Sequence, residues 1–392
     1  MPGKAPLKWK AARLGGLCAL NRERGADSGA YVGIEHIVPG RNRISGMGRA
    51  SDYVTKRPFQ AQNILYAKLG PEANKVWLAT CGGQCSTDIL PIRVTSNLVS
   101  PGFLAHVMAG SGFVRHAVSA SSGTIMPRTP WRDIQRFLVP VPPMREQQKI
   151  ASILSNVDAL IENTEKYIAH YGKLKSSLMT RLLSPCVQTS NNTKVKRSIC
   201  DMLRLDKHAG SWASVPLSQL CEVNGTVDAS STIYVGLEHI VSCKNYILAP
   251  GRVEDFKTHR PFQQNSILYG KLRPELNKVW LATCDGHCSV DILVLSPCTK
   301  TIVPAFLLYS LACSKFVKLA VSLSSGTKMP RTSWSNMKNI RFLVPPLETQ
   351  HRIASILSGV DAVIENYRLY QQQLEMLKKG LMQKLLTGKI RV

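Results

Sequence analysis

Apolar residues recur at steps of three and four in two long segments of the chain. One segment begins after Pro142 and Pro143, the other after Pro345 and Pro346. This spacing, kept over about five heptads, is typical of a helix with a coiled-coil seam. A helix of ~40 residues would be about 60 Å long. The seam positions are Ile150, Leu154, Val157, Ile161, Ile168, Leu174, Leu178 and Leu182 in the first segment, and Ile353, Leu357, Val360, Ile364, Tyr367, Leu374, Leu381 and Leu385 in the second.

The segment that precedes each helix mixes short apolar runs with turn residues. Residues 64–69 and 76–80 are predicted strands, bounded by Gly70-Pro71 and by Gly82-Gly83. A helix is expected over residues 103–118. These segments predict globular α/β heads, each followed by its long helix.

The heads and helices belong to an internal repeat with a constant offset of 203 residues. Residues 31–38 reappear at 234–241, 121–124 at 324–327, and 150–154 at 353–357. Between Ile64 and Leu90, 21 of 27 positions are identical to those between Ile267 and Leu293. We therefore predict a head at 1–143, a helix at 144–184, a polar linker at 185–203, a second head at 204–346 and a second helix at 347–392.

A single seam would leave an apolar stripe exposed to water, so the two seams are expected to pair. Two equivalent units in one chain favour an antiparallel, pseudo-two-fold pairing, as in an isologous dimer. Either the seams only cover each other, or part of the apolar surface also receives another protein; the two alternatives are compatible. The positions that we assign to pairing are Ile150, Leu154, Val157, Ile161, Ile168, Leu178, Ile353, Leu357, Val360, Ile364, Leu374 and Leu381.

The net charge of the chain indicates what kind of partner it binds. Lys and Arg number 50 against 25 Asp and Glu, a net charge of +25. Residues 1–143 carry +11 and residues 204–346 carry +7, so the heads hold most of the surplus. Duplex DNA is the favoured partner because clustered cations release its counterions; an anionic membrane surface is the weaker alternative. The absence of a long apolar run or a signal peptide, together with the odd count of 11 Cys, favours a cytoplasmic protein with reduced thiols.

The candidate DNA-binding residues are basic or hydroxyl positions, most of them kept in both copies. Arg and Lys reach guanine edges and phosphates, and a Ser-Ser-Gly-Thr turn offers hydroxyls and N–H groups to phosphate. If Lys75 reads a base, Lys75→Ala should relax sequence preference; if it holds phosphate, all sequences should weaken alike. The candidates are Arg41, Arg57, Lys68, Lys75, Ser121, Ser122, Thr124 and Arg128 in the first copy, and Lys244, Arg260, Lys271, Arg273, Lys278, Ser324, Ser325, Thr327 and Arg331 in the second.

Signatures of catalysis are missing from the sequence. We find no P-loop, no G-x-G-x-x-G after a strand and no Asp/Asn-Pro-Pro-Tyr/Phe tetrapeptide. Cys81 and Cys85, like Cys284 and Cys288, have a spacing that permits zinc, but we favour small apolar core residues, because a nearby His exists only in the second copy. The pairs Glu35-His36 and Glu238-His239 lack a third partner, which favours a structural or DNA-facing histidine.

One motif opens both long helices. Its residues are Pro142, Pro143, Gln147, Ile150, Ala151, Leu154 and Asp158, with Pro345, Pro346, Gln350, Ile353, Ala354, Leu357 and Asp361 in the copy. This motif resembles that of the specificity (S) subunit of type I restriction–modification systems. The resemblance implies two target recognition domains that each read half of a split DNA site, an antiparallel pair of spacer helices and no catalysis. It also implies duplex DNA, two modification (M) subunits that use S-adenosylmethionine, and restriction (R) subunits that use ATP and Mg²⁺. This chain would bind no cofactor itself.

The similarity of the two heads leads to one further hypothesis. Two nearly identical half-sites in inverted orientation, about a helical turn apart, would suit two nearly identical heads. Asymmetry would come from positions that differ between the copies, namely Gly70/Arg273, Gly82/Asp285, Gln84/His287 and Ile125/Lys328. The rival interpretations are a divergent nuclease or methyltransferase that acts alone, and an RNA-binding repeat protein, which an aromatic content of 7% disfavours.

Overall fold

The chain folds into two compact units in a computed structural model, which describes residues 9–21, 29–183, 187, 212–223 and 231–392. Unit 1 comprises Met1–Lys166 and Arg368–Val392, and unit 2 comprises Tyr167–Tyr367. Each unit therefore contains one head, the start of the helix that follows it and the end of the other long helix. Apart from Val187, the predicted linker lies outside the described residues.

The described part of head 1 consists of short strands with four short α-helices and three 3-10 turns. Its strands are Lys10–Arg13, Cys18–Leu20, Ala30–Val32, Gly48–Arg49, Arg57–Phe59, Ile64–Ala67, Val76–Leu78, Gly83–Cys85, Ile89–Val94 and Leu138–Val141. Its helices are Leu14–Leu17, Pro101–Ala109, Ser111–Ser119 and Trp131–Ile134, and its 3-10 turns are Ile34–His36, Ala50–Asp52 and Pro71–Ala73.

Head 2 repeats these elements. Its strands are Ala213–Pro216, Cys221–Val223, Ile233–Val235, Gly251–Arg252, Arg260–Phe262, Ile267–Gly270, Val279–Leu281, Gly286–Cys288, Ile292–Pro297 and Arg341–Val344. Its helices are Leu217–Leu220, Pro304–Ala312, Ser314–Ser322 and Trp334–Met337, and its 3-10 turns are Val253–Asp255 and Pro274–Leu276.

Within the residues that the structure describes, each head contains two four-stranded sheets and a two-stranded ribbon. In head 1 the strand Ile64–Ala67 lies inside an antiparallel sheet, between Val76–Leu78 and Ile89–Val94. Its Ile64 and Tyr66 pack in the core beneath the helices, and Leu65 packs in a second core. Burial on both faces explains why this strand is a continuous apolar run rather than an alternating one.

The predicted helix over 103–118 is wrong as a single element. It is two helices that meet at Gly110, whose φ of −76° and ψ of 150° are those of extended backbone. The equivalent Cys313 has nearly the same angles. Because a residue with a side chain breaks the helix at the same point, the break follows from the packing of the two helices and not from glycine's freedom.

The long helices span Met144–Leu182 and Leu347–Leu385. The second helix thus ends seven residues before the predicted boundary at Val392. In unit 1 the helices run antiparallel, since Asp158 pairs with Lys378 (2.6 Å) and Gln371 Nε2 donates to Glu165 Oε1 (3.5 Å).

Unit 2 also pairs its helix segments antiparallel. Lys175 pairs with Asp361 (2.7 Å), and the ring of Tyr167 stacks on that of Tyr367 with centroids 5.2 Å apart. The predicted fold class, two similar α/β heads with antiparallel long helices, is confirmed.

Only some of the predicted seam residues lie between the two long helices and not in the core of a head. Val157, Ile161 and Leu374 form a cluster of their own, with Leu381 against it. Ile364 is also buried. Ile168, Leu178 and Val360 are half-buried, and Leu178 packs against the core of head 2.

The start of each helix instead belongs to a head. Ile150 and Leu154 lie in the core of head 1, and Ile353 and Leu357 in that of head 2. Each helix follows the last strand of its head after only two residues, so its first turns are held against that core. Leu174, a predicted seam residue, is exposed.

Among the described residues no single helix is long and apolar enough to cross a membrane. One bent pair, Pro304–Ala312 with Ser314–Ser322, passes by length and composition only. Seven of the nine residues of Pro304–Ala312 are buried.

Candidate nucleic-acid interface

Three basic residues of head 1 lie where several strand ends and a loop meet, and two of them, Lys68 and Arg128, contact the same carboxylate. Arg57 starts the strand Arg57–Phe59 and pairs in register with Cys85. Lys68 directly follows the strand Ile64–Ala67, and its carbonyl accepts the N–H of Thr129, which holds Arg128 beside it. We call Arg57, Lys68 and Arg128, with Arg260, Lys271 and Arg331 at the same places in head 2, the basic clusters.

One carboxylate occupies each basic cluster. Asp88 accepts from Arg128 Nε at 3.1 Å and from Arg128 Nη2 at 3.4 Å, and Lys68 Nζ lies 3.5 Å from the same side chain. The hydrogen bond from Arg128 lowers the pKa of Asp88, so the carboxylate is ionised at neutral pH. In head 2, Arg331 Nη2 lies 3.1 Å from Asp291.

The cations of the second basic cluster influence one another. Burial lowers the pKa of Lys271, Arg260 and Arg331 lower it further, and Asp291 opposes them. This proximity of like charges marks a surface that gains from an anionic partner.

The loop that leads to Arg128 is closed by two backbone hydrogen bonds between Ser122 and Arg128, of 3.0 and 2.9 Å. Gly123, at φ +102°, provides the left-handed conformation that the turn requires. The tip is exposed, with Ile125 at 93% of its full accessibility. The head 2 loop is built alike, with Gly326 at φ +98°.

The predicted hydroxyl residues of this turn divide into two groups. Ser121 Oγ donates to the carbonyl of Val118 at 2.7 Å, so this hydroxyl helps to terminate a helix. Ser324 does the same towards Val321. The remaining hydroxyl residues are exposed on the loops: Ser122, Thr124, Ser325 and Thr327.

Several predicted DNA contacts lie outside the basic clusters. Lys75 Nζ donates to the carbonyl of Ile34 at 2.8 Å, and Lys278 Nζ to that of Leu237 at 2.5 Å. Each ammonium supports a turn of its own head. We therefore leave Lys75 and Lys278 out of the interface proposed below.

Arg41 is held inside unit 1. Its guanidinium pairs with Glu375 and with Glu165, so it ties head 1 to the long helices. Arg273 pairs with its neighbour Glu275 at 3.0 Å, and Lys244 is exposed.

The histidines considered for acid–base catalysis and the cysteines considered for zinc binding include residues with clear structural roles. His36 Nδ1 accepts the N–H of Gly33 at 2.8 Å, and His239 repeats this with Gly236 at 2.9 Å. Burial raises the pKa of Cys85 and Cys288 to about 12, and both lie in apolar cores. Within the described ranges, no group of three or more His, Cys, Asp or Glu is placed to hold a metal ion.

Comparison with known proteins identifies the family. The model of the type I restriction modification DNA specificity domain matches the chain twice, at residues 6–170 and 210–376. The chain belongs to this family. The curated relatives include the MjaVIII specificity subunit of Methanocaldococcus jannaschii, 26% identical over 70% of this chain and 67% of that relative. The putative MjaX specificity subunit of the same organism is 24% identical, with 100% and 95% covered.

Solved structures of the family share the fold. The S subunit of a type I system from M. genitalium aligns with a TM-score of 0.64 at 16% identity, covering 98% of this chain and 97% of that one. A chain from a study of the assembly and conformational transition of a type I system aligns with a TM-score of 0.54 at 18% identity, covering 99% and 100%.

Membership in the specificity family confirms the predicted class of function. The chain is a DNA-recognition component of a type I restriction–modification system, and specificity subunits are the non-catalytic members of these systems. An enzyme that acts alone is not favoured.

Sequence reasoning missed two acidic residues at the centre of this site, Asp88 and Asp291. A signal was present, because an acid directly precedes the apolar strand in both copies of an otherwise basic head.

Proposed function

We propose that each head binds one half of a bipartite duplex site through its basic cluster and the adjoining loop. The observation that carries this proposal is the duplication of the whole arrangement: three cations, one carboxylate and one exposed loop at positions 203 apart. Long side chains on loops can reach a groove, while the strands behind them fix their position.

The two half-sites are nearly identical and inverted, which gives a gapped near-palindrome. The heads have the same backbone even where residues differ: Gly70 and Arg273 both have positive φ, of 61° and 51°. Ile125 and Lys328 occupy the same exposed loop position and provide the clearest difference in chemistry. An apolar side chain suits a thymine methyl, whereas a lysine suits guanine or phosphate.

Genome-wide mapping of methylated adenines in a strain that carries the system tests this function. The expected motif has two related half-sites on opposite strands, separated by a fixed gap. Two unrelated half-sites would contradict the near-palindrome and leave bipartite recognition intact, whereas a motif unaffected by Arg128→Ala and Arg331→Ala would contradict the interface itself.

The partners proposed are two M subunits, which bring S-adenosylmethionine, and R subunits, which bring ATP and Mg²⁺. An exposed apolar pair recurs on each long helix: Tyr167 with Leu174, and Tyr370 with Leu377. The members of each pair are seven residues apart and so share one helix face. Two equivalent patches support two equivalent M subunits. Because the target is genomic DNA, we place the chain in the cytoplasm.

A further inference from the structure

A negative charge at the centre of a DNA-binding surface requires an explanation. In each basic cluster a carboxylate, Asp88 or Asp291, pairs with the arginine of the loop, although phosphate would be repelled by it. The exposure of Asp88 is 26% and that of Asp291 is 31%, so both can act on a bound duplex.

The position of the carboxylate is fixed by the backbone in both heads. The N–H of Asp88 donates to Ser86 Oγ at 3.2 Å, and its carbonyl accepts the N–H of Lys68 at 2.9 Å. Asp291 has the same two contacts, with Ser289 at 3.3 Å and Lys271 at 2.9 Å. The aspartate is therefore built into the junction that also positions the lysine.

A contribution to the stability of the fold does not explain why these aspartates are present. Arg128 is 44% exposed and Arg331 is 54% exposed. Ion pairs with such exposed partners add little to the free energy of unfolding. A role in the bound state explains the arrangement better.

The carboxylate has two physical effects that favour contacts of the arginine with base edges over contacts with DNA phosphates. Arg128 donates from Nε and Nη2 to Asp88, which holds the guanidinium in one orientation instead of leaving it free to follow any phosphate. The carboxylate also neutralises part of the local positive charge and so weakens binding that depends on charge alone.

We propose that Asp88 and Asp291 are specificity-determining residues that orient the arginines towards base edges and penalise contact with phosphate. This inference rests on the proposed function, since it requires the basic clusters to face DNA. It adds to that function a reason why a strongly basic chain discriminates between sequences.

The test is the double variant Asp88→Asn/Asp291→Asn, in the full chain assembled with its M subunits. Asparagine keeps the shape of the side chain and removes its charge. Binding is measured to a duplex carrying the motif found by methylation mapping and to a random-sequence duplex of equal length, over a range of salt. We expect random-duplex affinity to rise about three- to tenfold with a steeper salt dependence, and the ratio of specific to random affinity to fall about tenfold.

The matched control is Asp133→Asn. Asp133 also pairs with arginines of head 1, Arg132 and Arg136, but lies outside the basic cluster, and the second copy has Asn336 at this position. Its substitution should leave the affinity ratio unchanged.

Two results would overturn the inference. Equal gains for both duplexes would show that the carboxylates act only through general charge, and unchanged affinities would show that they do not act on DNA. Failure of the proposed function would look different, because Arg128→Ala with Arg331→Ala would then also leave the affinities for both duplexes unchanged.

Discussion

At the scale of single residues, one buried position holds a different polar side chain in each head, with a different hydrogen-bond partner. His106 is 1% exposed and its Nε2 lies 3.1 Å from Ser155 Oγ. Tyr309, at the same place in head 2, donates its hydroxyl to Asp361 at 2.7 Å. A buried imidazole must stay neutral, and burial lowers the pKa of His106 from 6.5 to about 4.

This shift predicts a pH-dependent stability that His106→Tyr should remove. The folded state binds the proton less readily than the unfolded chain, so the contribution of neutral His106 is complete above pH 6.5 and is lost as the pH falls towards 4. Between pH 7 and pH 5 the original chain should lose about 2 kcal/mol more unfolding free energy than the variant in urea titrations. The exposed His351, changed to Gln, is the control; equal slopes for all three proteins would refute the assignment.

At the scale of secondary-structure elements, the long helices exchange the same ion pair in each unit. Lys378 binds Asp158 in unit 1, and Lys175 binds Asp361 in unit 2. The four residues are equivalent under the offset of 203, so each copy supplies one acid and one base. Such reciprocity is the pattern of an isologous contact, and a buried charge pair of this kind can fix the register of two helices.

We expect Lys378→Met to destabilise the chain by about 3 kcal/mol, because it leaves the largely buried Asp158 without its cation. Lys378 is 8% exposed, whereas the adjacent Lys379 is exposed, so Lys379→Met is the matched control. Urea unfolding measures both. If the two substitutions cost the same, the ion pair is not what holds these helix segments together.

At the scale of the whole molecule, duplication is the basis for proposing two M subunits. A chain with two heads and two copies of the apolar pair Tyr-x6-Leu presents each surface twice. One gene thus gives a two-headed protein in which the copies are free to diverge, as Ile125 and Lys328 have done.

Native mass spectrometry of the assembled complex measures the number of bound M subunits. Tyr370→Ser with Leu377→Ser should reduce the number of bound M subunits from two to one, and the same changes at Tyr167 and Leu174 should complete the loss. Gln372→Ser, at an exposed polar position of the same helix, should retain both. Retention of both M subunits by the fourfold variant would exclude these patches as docking sites.

The repeat, the two long helices and the concentration of positive charge in the heads can all be predicted from the order of the amino acids alone. These features depend on identity at a fixed offset and on local periodicity, which need no knowledge of distant contacts. The same periodicity marks Ile150 and Ile353 as apolar positions to be buried, but it assigns them to the pairing of the helices, whereas they lie in the cores of the heads.

The contacts of each charged side chain become visible only in the folded chain. Lys68 and Lys75 look alike in the sequence, yet one lies in a basic cluster and the other binds the carbonyl of Ile34. Arg41 contacts Glu375, 334 positions away. The role of a cation depends on the dielectric and the partners around it, and these are set by segments that the chain brings together only when it folds.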